Sequence, residues 1–179
     1  MSGLLEASLT TNGQALPYRH CVGQMVINRN GHVWVGRRSD SKTDAEGRGD
    51  WWQMPQGGVD EGEDVRTAAL RELREETGIH SVEIIAEHSA WLTYDLPSAL
   101  IGKAWGGRYR GQSQKWFALR FLGPDSEVSI DPPPGCEREF DAWRWTAVDE
   151  LLELIVPFKR EVYRAVLAEF ATLAVPLAK

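Results

Sequence analysis

Between Gly57 and Ile79 the chain reads GGVDEGEDVRTAALRELREETGI, and few local structures satisfy all of it. Asp64 suits the cap of a helix, because its side-chain oxygen accepts from backbone N–H groups of the first turn. Gly78 suits the left-handed position that closes one. The spacing predicts a helix over about Val65 to Thr77. Within it Glu72, Glu75 and Glu76 stand at i, i+3 and i+4, so three carboxylates project from one face. Ala69, Leu70 and Leu73 occupy a neighbouring face and are expected in a core. Like charges on such a patch cost ~0.2–0.5 kcal/mol per pair even on exposed helices. A divalent cation turns that cost into attraction. Mg²⁺ takes a few carboxylates with waters and substrate phosphates, and Mn²⁺ suits the same oxygens. The plainer reading is a solvated acidic face balanced by Arg71 and Arg74. It does not explain why the glycine loop and both helix ends conform together.

The 179 residues fit one domain with a substantial core, taken as 1–179 with a loose arm over 1–17. A hydrophobic content of 42% with 26% charged residues is globular. No apolar run approaches the ~20 residues that span a bilayer, so no membrane partner is expected and cytoplasmic residence is the default. Cys21 and Cys136 make no disulfide framework, and no Cys/His cluster has zinc spacing. Cys21 lies in an apolar run and reads as core, not as a nucleophile. The net charge of −6 argues against broad binding to nucleic acid, double-stranded DNA included. The charge is uneven. Seven acids fall between Asp60 and Glu76, whereas Leu96 to Pro124 has none and carries Lys103, Arg108, Arg110, Lys115 and Arg120. Trp105, Tyr109, Trp116 and Phe117 are interleaved there, a pattern able to meet phosphates with cations and bases with rings. Equally, Trp116 and Phe117 fit a strand core with solvated arginines beside them.

Cys21 to Asn28 and His32 to Arg38 read as strands joined at Arg29-Asn30-Gly31, a strong hairpin signal. Ser39 to Asp50 reads as loop and Trp51 to Met54 as a short strand before Pro55. Val82 to His88, Ala90 to Tyr94, Gln114 to Leu122 and Phe140 to Trp145 read as extended. Thr146 is expected to cap a short helix through Leu154, which Pro157 ends. A second helix is expected over about Phe158 to Leu173, with Val162, Val166, Leu167 and Phe170 as its apolar stripe. Strands around a central helix with helices at the end predict an α/β class, a mixed β-sheet between helical layers.

Written as Gly57, five residues, Glu63, seven residues and then Arg71 to Ile79, the segment matches G-x5-E-x7-R-E-U-x-E-E-x-G-U, with U aliphatic, at all nine fixed positions across 23 residues. The chain resembles the Nudix hydrolases. The resemblance extends over about Tyr18 to Leu173, through WQMPQGG at 52–58, WLTY at 91–94, GQSQKWF at 111–117, EFDAWRW at 139–145 and FKREVY at 158–163. Together these are similar to a subgroup acting on RNA 5′ ends and on dinucleoside polyphosphates such as diadenosine tetraphosphate, without choosing between the two.

The resemblance implies the Nudix fold, an α/β/α sandwich, and Mg²⁺-dependent attack of water on a P–O–P chain. It implies that Glu72, Glu75 and Glu76 bind metal, and that Glu139 adds a further ligand or acts as base. Glu76, Glu75 and Glu139 are thus the candidate catalytic acids. Gly57 and Gly58 shape the loop, and a Glu63–Arg71 pair orients the site. Arg19 and Arg38 are expected near the 5′ phosphates, Tyr94 and Lys115 along the same site, and Val156, Phe158 and Lys159 around a base. Two other classes have fewer supports. A non-catalytic Nudix binding module would be expected to lack some of these carboxylates. An isoprenyl diphosphate isomerase would need cysteines near the box. A dedicated dinucleotide hydrolase without RNA activity stays open.

Overall fold

In the computed structural model, residues 10–11, 14–40 and 49–178 are described. Strands β1 (Thr10–Thr11) and β2 (Gln14–Ala15) pair antiparallel. The expected loose arm is fastened at its end: Leu16 is buried, and the Pro17 carbonyl accepts from Arg110 N–H at 3.0 Å. Its earlier part, 1–9 and 12–13, lies outside the described residues, as does 41–48 of the expected loop.

The main sheet has eight strands: β3 (Tyr18–Ile27), β4 (Val33–Arg38), β5 (Trp52–Gln53), β6 (Gln56–Gly58), β7 (Val82–Glu87), β8 (Leu92–Asp95), β9 (Gly111–Phe121) and β10 (Phe140–Thr146). Its spine runs β10-β4-β3-β9-β7. β3 and β9 pair in parallel from Tyr18↔Gly111 to Ile27↔Arg120, and the other pairings are antiparallel, so the sheet is mixed. Alternation along each central strand sorts side chains between two cores. Met25, Ile27, Val35, Trp116 and Ala118 face one core, while Val22, Val26, Trp34, Phe117 and Leu119 face the other. Helix α1 (Val65–Thr77) covers the second. Helices α2 (Leu151–Leu154) and α3 (Arg160–Phe170) cover the first, α3 through Val162, Tyr163, Val166 and Phe170. Among the described residues no helix is long and apolar enough to cross a membrane.

The 28–33 hairpin forms as its sequence requires. Asn28 Oδ1 accepts from Asn30 and His32 N–H, both at 3.0 Å. The two strands then part after one rung, Ile27↔Val33, because β6 takes β3 and β5 takes β4 as partners. That splay lays β6 beside the start of β3, so Gly57 and Gly58, expected as a turn, are strand residues paired with Val22 and Cys21.

Helix α1 begins and ends where its caps dictate. Asp64 accepts from Arg66 and Thr67 N–H at 3.1 Å, and Gly78 sits at φ 72° with its N–H on the Arg74 carbonyl. Its core residues are Ala68, Ala69, Leu73 and Thr77; Leu70, expected inside, points outward and is exposed. Thr146 ends β10 and caps no helix. Its hydroxyl donates to Glu150 Oε2 at 2.7 Å, and a 3-10 turn over Val148–Glu150 leads into α2. The last expected helix is α3 with 3-10 turns at both ends, Pro157–Lys159 and Ala171–Leu173.

Candidate active site

β6 ends in two glycines because two side chains crowd it. A Cβ on Gly57 would lie 2.0 Å from Glu72 Oε2, and one on Gly58 would lie 2.6 Å from Arg19 Nη2. Behind β6, Arg71 gathers the acids of the segment. Its Nε and Nη2 donate to the two Glu63 oxygens at 2.8 and 2.7 Å, its Nη1 to Glu72 at 2.8 Å and Glu75 at 3.3 Å, and its Nη2 to the Gly58 carbonyl at 3.0 Å. Those bonds, with the Asp60 N–H, hold the Glu63 carboxyl down at about 2. A two-pronged guanidinium–carboxylate pair of this kind fixes geometry as well as charge.

Glu72, Glu76 and Glu139 line one cleft of about 550 Å³ together with Arg19, Arg38 and Lys159. Tyr94, Trp105 and Phe158 add rings to the same cleft. An adjoining recess of about 170 Å³ is lined by Glu72, Glu75, Glu76 and Glu139, which places Glu75 at the outer edge of the acid group. Glu76 Oε2 accepts from Gln56 N–H at 3.2 Å. Burial raises the Glu76 carboxyl well above its usual range, and the charges of Glu139 and Glu72 push it the same way. Burial also raises Glu72, against the pull of Arg71. Among the described residues no three such side chains are already gathered into a cation cage. Glu72 and Glu75 lean on Arg71, and Glu76 leans on the Gln56 amide.

The cationic residues are held in different ways. Lys159 is buried, donates to Gln53 Oε1 at 3.3 Å and stands 5.6 Å above the Tyr94 ring. Burial, then the nearby Arg38 charge, lower it to about 8. Arg38 is bridged by Asp40. Arg19 lies 5.7 Å from the Trp105 ring centre. Phe158 packs against Tyr94, ring centres 5.6 Å apart.

Two residues expected at the substrate stand elsewhere. Lys115 alternates onto the sheet face opposite Gln114 and Trp116, donating to the His88 carbonyl at 2.7 Å and pairing with Glu87 at 3.3 Å. Val156 is fully buried in the core below α3 and does not line the cleft. The acid-free stretch also divides. Arg110 pairs with Asp95, Arg120 binds the carbonyls of Asn28, Leu173 and Val175, and Trp116 and Phe117 are core. Of its named aromatics and cations, Trp105 alone lines the cleft. It is the one non-glycine with positive φ (51°) among the described residues, a backbone state that costs an L side chain energy. Gln56 and Gln112 also line the cleft and were not singled out by the sequence; the Gln112, Gln114, Trp116 alternation was the available signal. Cys21 is fully buried and its thiol is pushed up to about 11 by burial, which suits packing and not attack.

A mixed sheet sets a glutamate-bearing helix and three cations around one cleft, the arrangement of a candidate enzyme site. A NUDIX domain model matches residues 17–166. RNA pyrophosphohydrolase of Agrobacterium fabrum is 54% identical over 168 residues, covering 93% of this chain and 99% of that protein. RNA pyrophosphohydrolase of Rhodopseudomonas palustris is 57% identical over 160 residues, covering 89% and 95%. Among solved structures, a C. elegans Ap4A hydrolase binary complex superposes with a TM-score of 0.58 at 20% identity, covering 86% of this chain and 98% of that one. The MutT protein from Methanosarcina mazei gives 0.59 at 18% identity, covering 85% and 94%. At those identities the superpositions speak for the fold. The chain belongs to the Nudix family and is a Nudix hydrolase.

Proposed function

We propose that this hydrolase removes phosphate from 5′-triphosphorylated or diphosphorylated RNA ends, and that it also cleaves dinucleoside polyphosphates such as diadenosine tetraphosphate. One observation carries the reading: acids, cations and aromatic rings line a single cleft. A polyphosphate with a base at some distance needs all three. The names of the relatives with more than half their residues identical favour the RNA end.

The donor set fits a hard divalent cation. Glu72, Glu76 and Glu139, with Glu75 at the edge, offer only carboxylate oxygens, and mutual charge with burial raises Glu76. These four residues would hold Mg²⁺, with Mn²⁺ able to substitute. When bound, such an ion neutralises phosphate oxygens and acidifies a water. Glu76 or Glu139 accepts the water proton. Arg19, Arg38 and Lys159 supply fixed positive charge where the phosphoryl oxygens gather negative charge. Arg71 and Glu63 do not meet the substrate; they brace Glu72 and β6. Phe158, backed by the Tyr94 ring, offers a ring to a base, and Lys159 lines the same cleft.

The test is a side-by-side kcat/KM on triphosphorylated RNA and on diadenosine tetraphosphate, with products identified by mass. Monophosphorylated RNA from the first, and ATP plus AMP from the second, are expected. Cleavage of the dinucleotide with RNA untouched would leave a dedicated dinucleotide hydrolase.

A further inference from the structure

On β9, Gln112, Gln114 and Trp116 alternate onto one face, each about 1% exposed. The indole N–H of Trp116 can only donate, and it donates to Gln114 Oε1 at 2.9 Å. Gln114 is thereby turned so that its amide nitrogen points the other way. That nitrogen donates to Gln56 Oε1 at 2.6 Å and to Gln112 Oε1 at 2.7 Å. The oxygens of the two cleft glutamines are therefore engaged inward. Their amino groups have no acceptor among the described residues, and both side chains line the cleft. The two ends of a carboxamide have nearly the same shape, so only the network decides which end faces out. Here a donor-only indole decides for three glutamines.

We propose that Gln114, locked by Trp116, is a positioning residue that presents the Gln56 and Gln112 amino groups to the polyphosphate as donors. The proposal rests on the phosphoanhydride reading above. Ionised phosphoryl oxygens accept and do not donate, so outward amino groups make charge-assisted bonds where outward carbonyls would repel. The relay also reaches the acids: the Gln56 backbone N–H donates to Glu76. One residue thus spans the amide relay and the carboxylate group. Buried networks of this kind act as a unit, because a half-satisfied one is costly.

Two replacements separate presentation from packing. Gln114→Glu keeps the size and still accepts from Trp116, but its second oxygen draws the Gln56 and Gln112 amino groups inward and turns their carbonyls to the substrate. Gln114→Met removes the polarity and lets both glutamines turn either way. KM and kcat are measured on triphosphorylated RNA, and Gln114→Met, which adds no charge, is the control for the added charge of Glu, since salt screens a buried group little. KM is expected to rise about tenfold for Met and about a hundredfold for Glu, with kcat changing less than KM in both. A second measurement needs no variant and no turnover. The side-chain amide resonances of Gln56 and Gln112 are followed while a methylene-bridged nucleoside triphosphate is added with Mg²⁺, and both amino groups are expected to respond. Amide resonances that ignore the analogue as it binds, or an unchanged KM in both variants of an active enzyme, would overturn the relay and leave the hydrolase reading standing. A wild type that cleaves no phosphoanhydride, while both amides respond, would overturn that reading and keep the relay.

Discussion

Lys159 holds its ammonium where water scarcely reaches, 5% exposed, and the folded chain bears a measurable cost for it. Burial is the main cause and Arg38 adds repulsion, while Glu139, Cys21 and Asp40 oppose them, leaving the group at about 8 against an ordinary 10.5. The neutral neighbours are the Gln53 carbonyl oxygen and the Tyr94 ring. Because the folded value is depressed, the unfolded chain binds more protons between pH 8 and 10.5, and stability rises with pH across that window. Below it, the charge costs the folded state about 3 kcal/mol, since a tenfold change in proton affinity corresponds to about 1.36 kcal/mol. Lys159→Met keeps an unbranched apolar stem, removes the charge and gives up a long hydrogen bond worth about 1 kcal/mol. The variant is expected to be ~2 kcal/mol more stable than wild type at pH 7, or ~4–8 °C in Tm for a chain of this size. Its advantage should vanish by pH 10.5. Urea unfolding of both proteins at pH 7, 8.5 and 10.5 tests this, with differences taken at each pH so that other titrations cancel. A variant less stable at pH 7, or a gap that does not narrow as pH rises, would refute the reasoning. The same variant should need roughly tenfold more substrate for half-maximal rate, since under the proposed function the charge that destabilises the fold would face the polyphosphate.

Glu76→Gln and Glu75→Gln are each expected to lower kcat at saturating Mg²⁺ by at least ~10²-fold while the protein still folds. Near-wild-type turnover of both would remove the carboxylate assignment. Glu139→Gln should lower kcat and alter the pH–rate profile with stability within ±~0.5 kcal/mol; an unchanged profile would make it an ordinary surface acid. Gly57→Ala forces a methyl to 2.0 Å from Glu72 Oε2, so the half-saturating Mg²⁺ concentration should rise and kcat should fall about tenfold or more. Phe158→Ala should weaken use of RNA by ~1–3 kcal/mol of lost base stacking, seen as a higher KM for RNA than for a free polyphosphate.

How far the sequence is legible depends on the range of the interactions. The helix Val65–Thr77 is read to its ends because Asp64 and Gly78 act within one turn. The longer strands follow from alternation, with boundaries off by up to three residues, as where β9 starts at Gly111 and not Gln114, whereas β1, β2 and β6 are too short to show it and Gly57-Gly58 reads as a turn. Which face a residue takes is a tertiary matter, and there the reading slips. Leu70 lies one step round the helix from the buried Ala69, and Lys115 one step along the strand from Gln114. The Gln56–Gln114–Gln112 contacts are illegible from sequence, since they arise only when the hairpin splays and β6 enters beside β3. Trp105 is visible as one of several aromatics, but its place in the cleft needs the 97–110 segment folded over it.

The decisive measurement is release of label from a short RNA bearing a 5′-triphosphate labelled at its γ-phosphorus, with wild type and Glu76→Gln compared in Mg²⁺. Wild type should yield labelled pyrophosphate or orthophosphate together with 5′-monophosphorylated RNA, and Glu76→Gln at least ~10²-fold less. Label that stays on the RNA with wild type, or equal release by both proteins, would contradict a hydrolytic site for RNA ends built on these carboxylates.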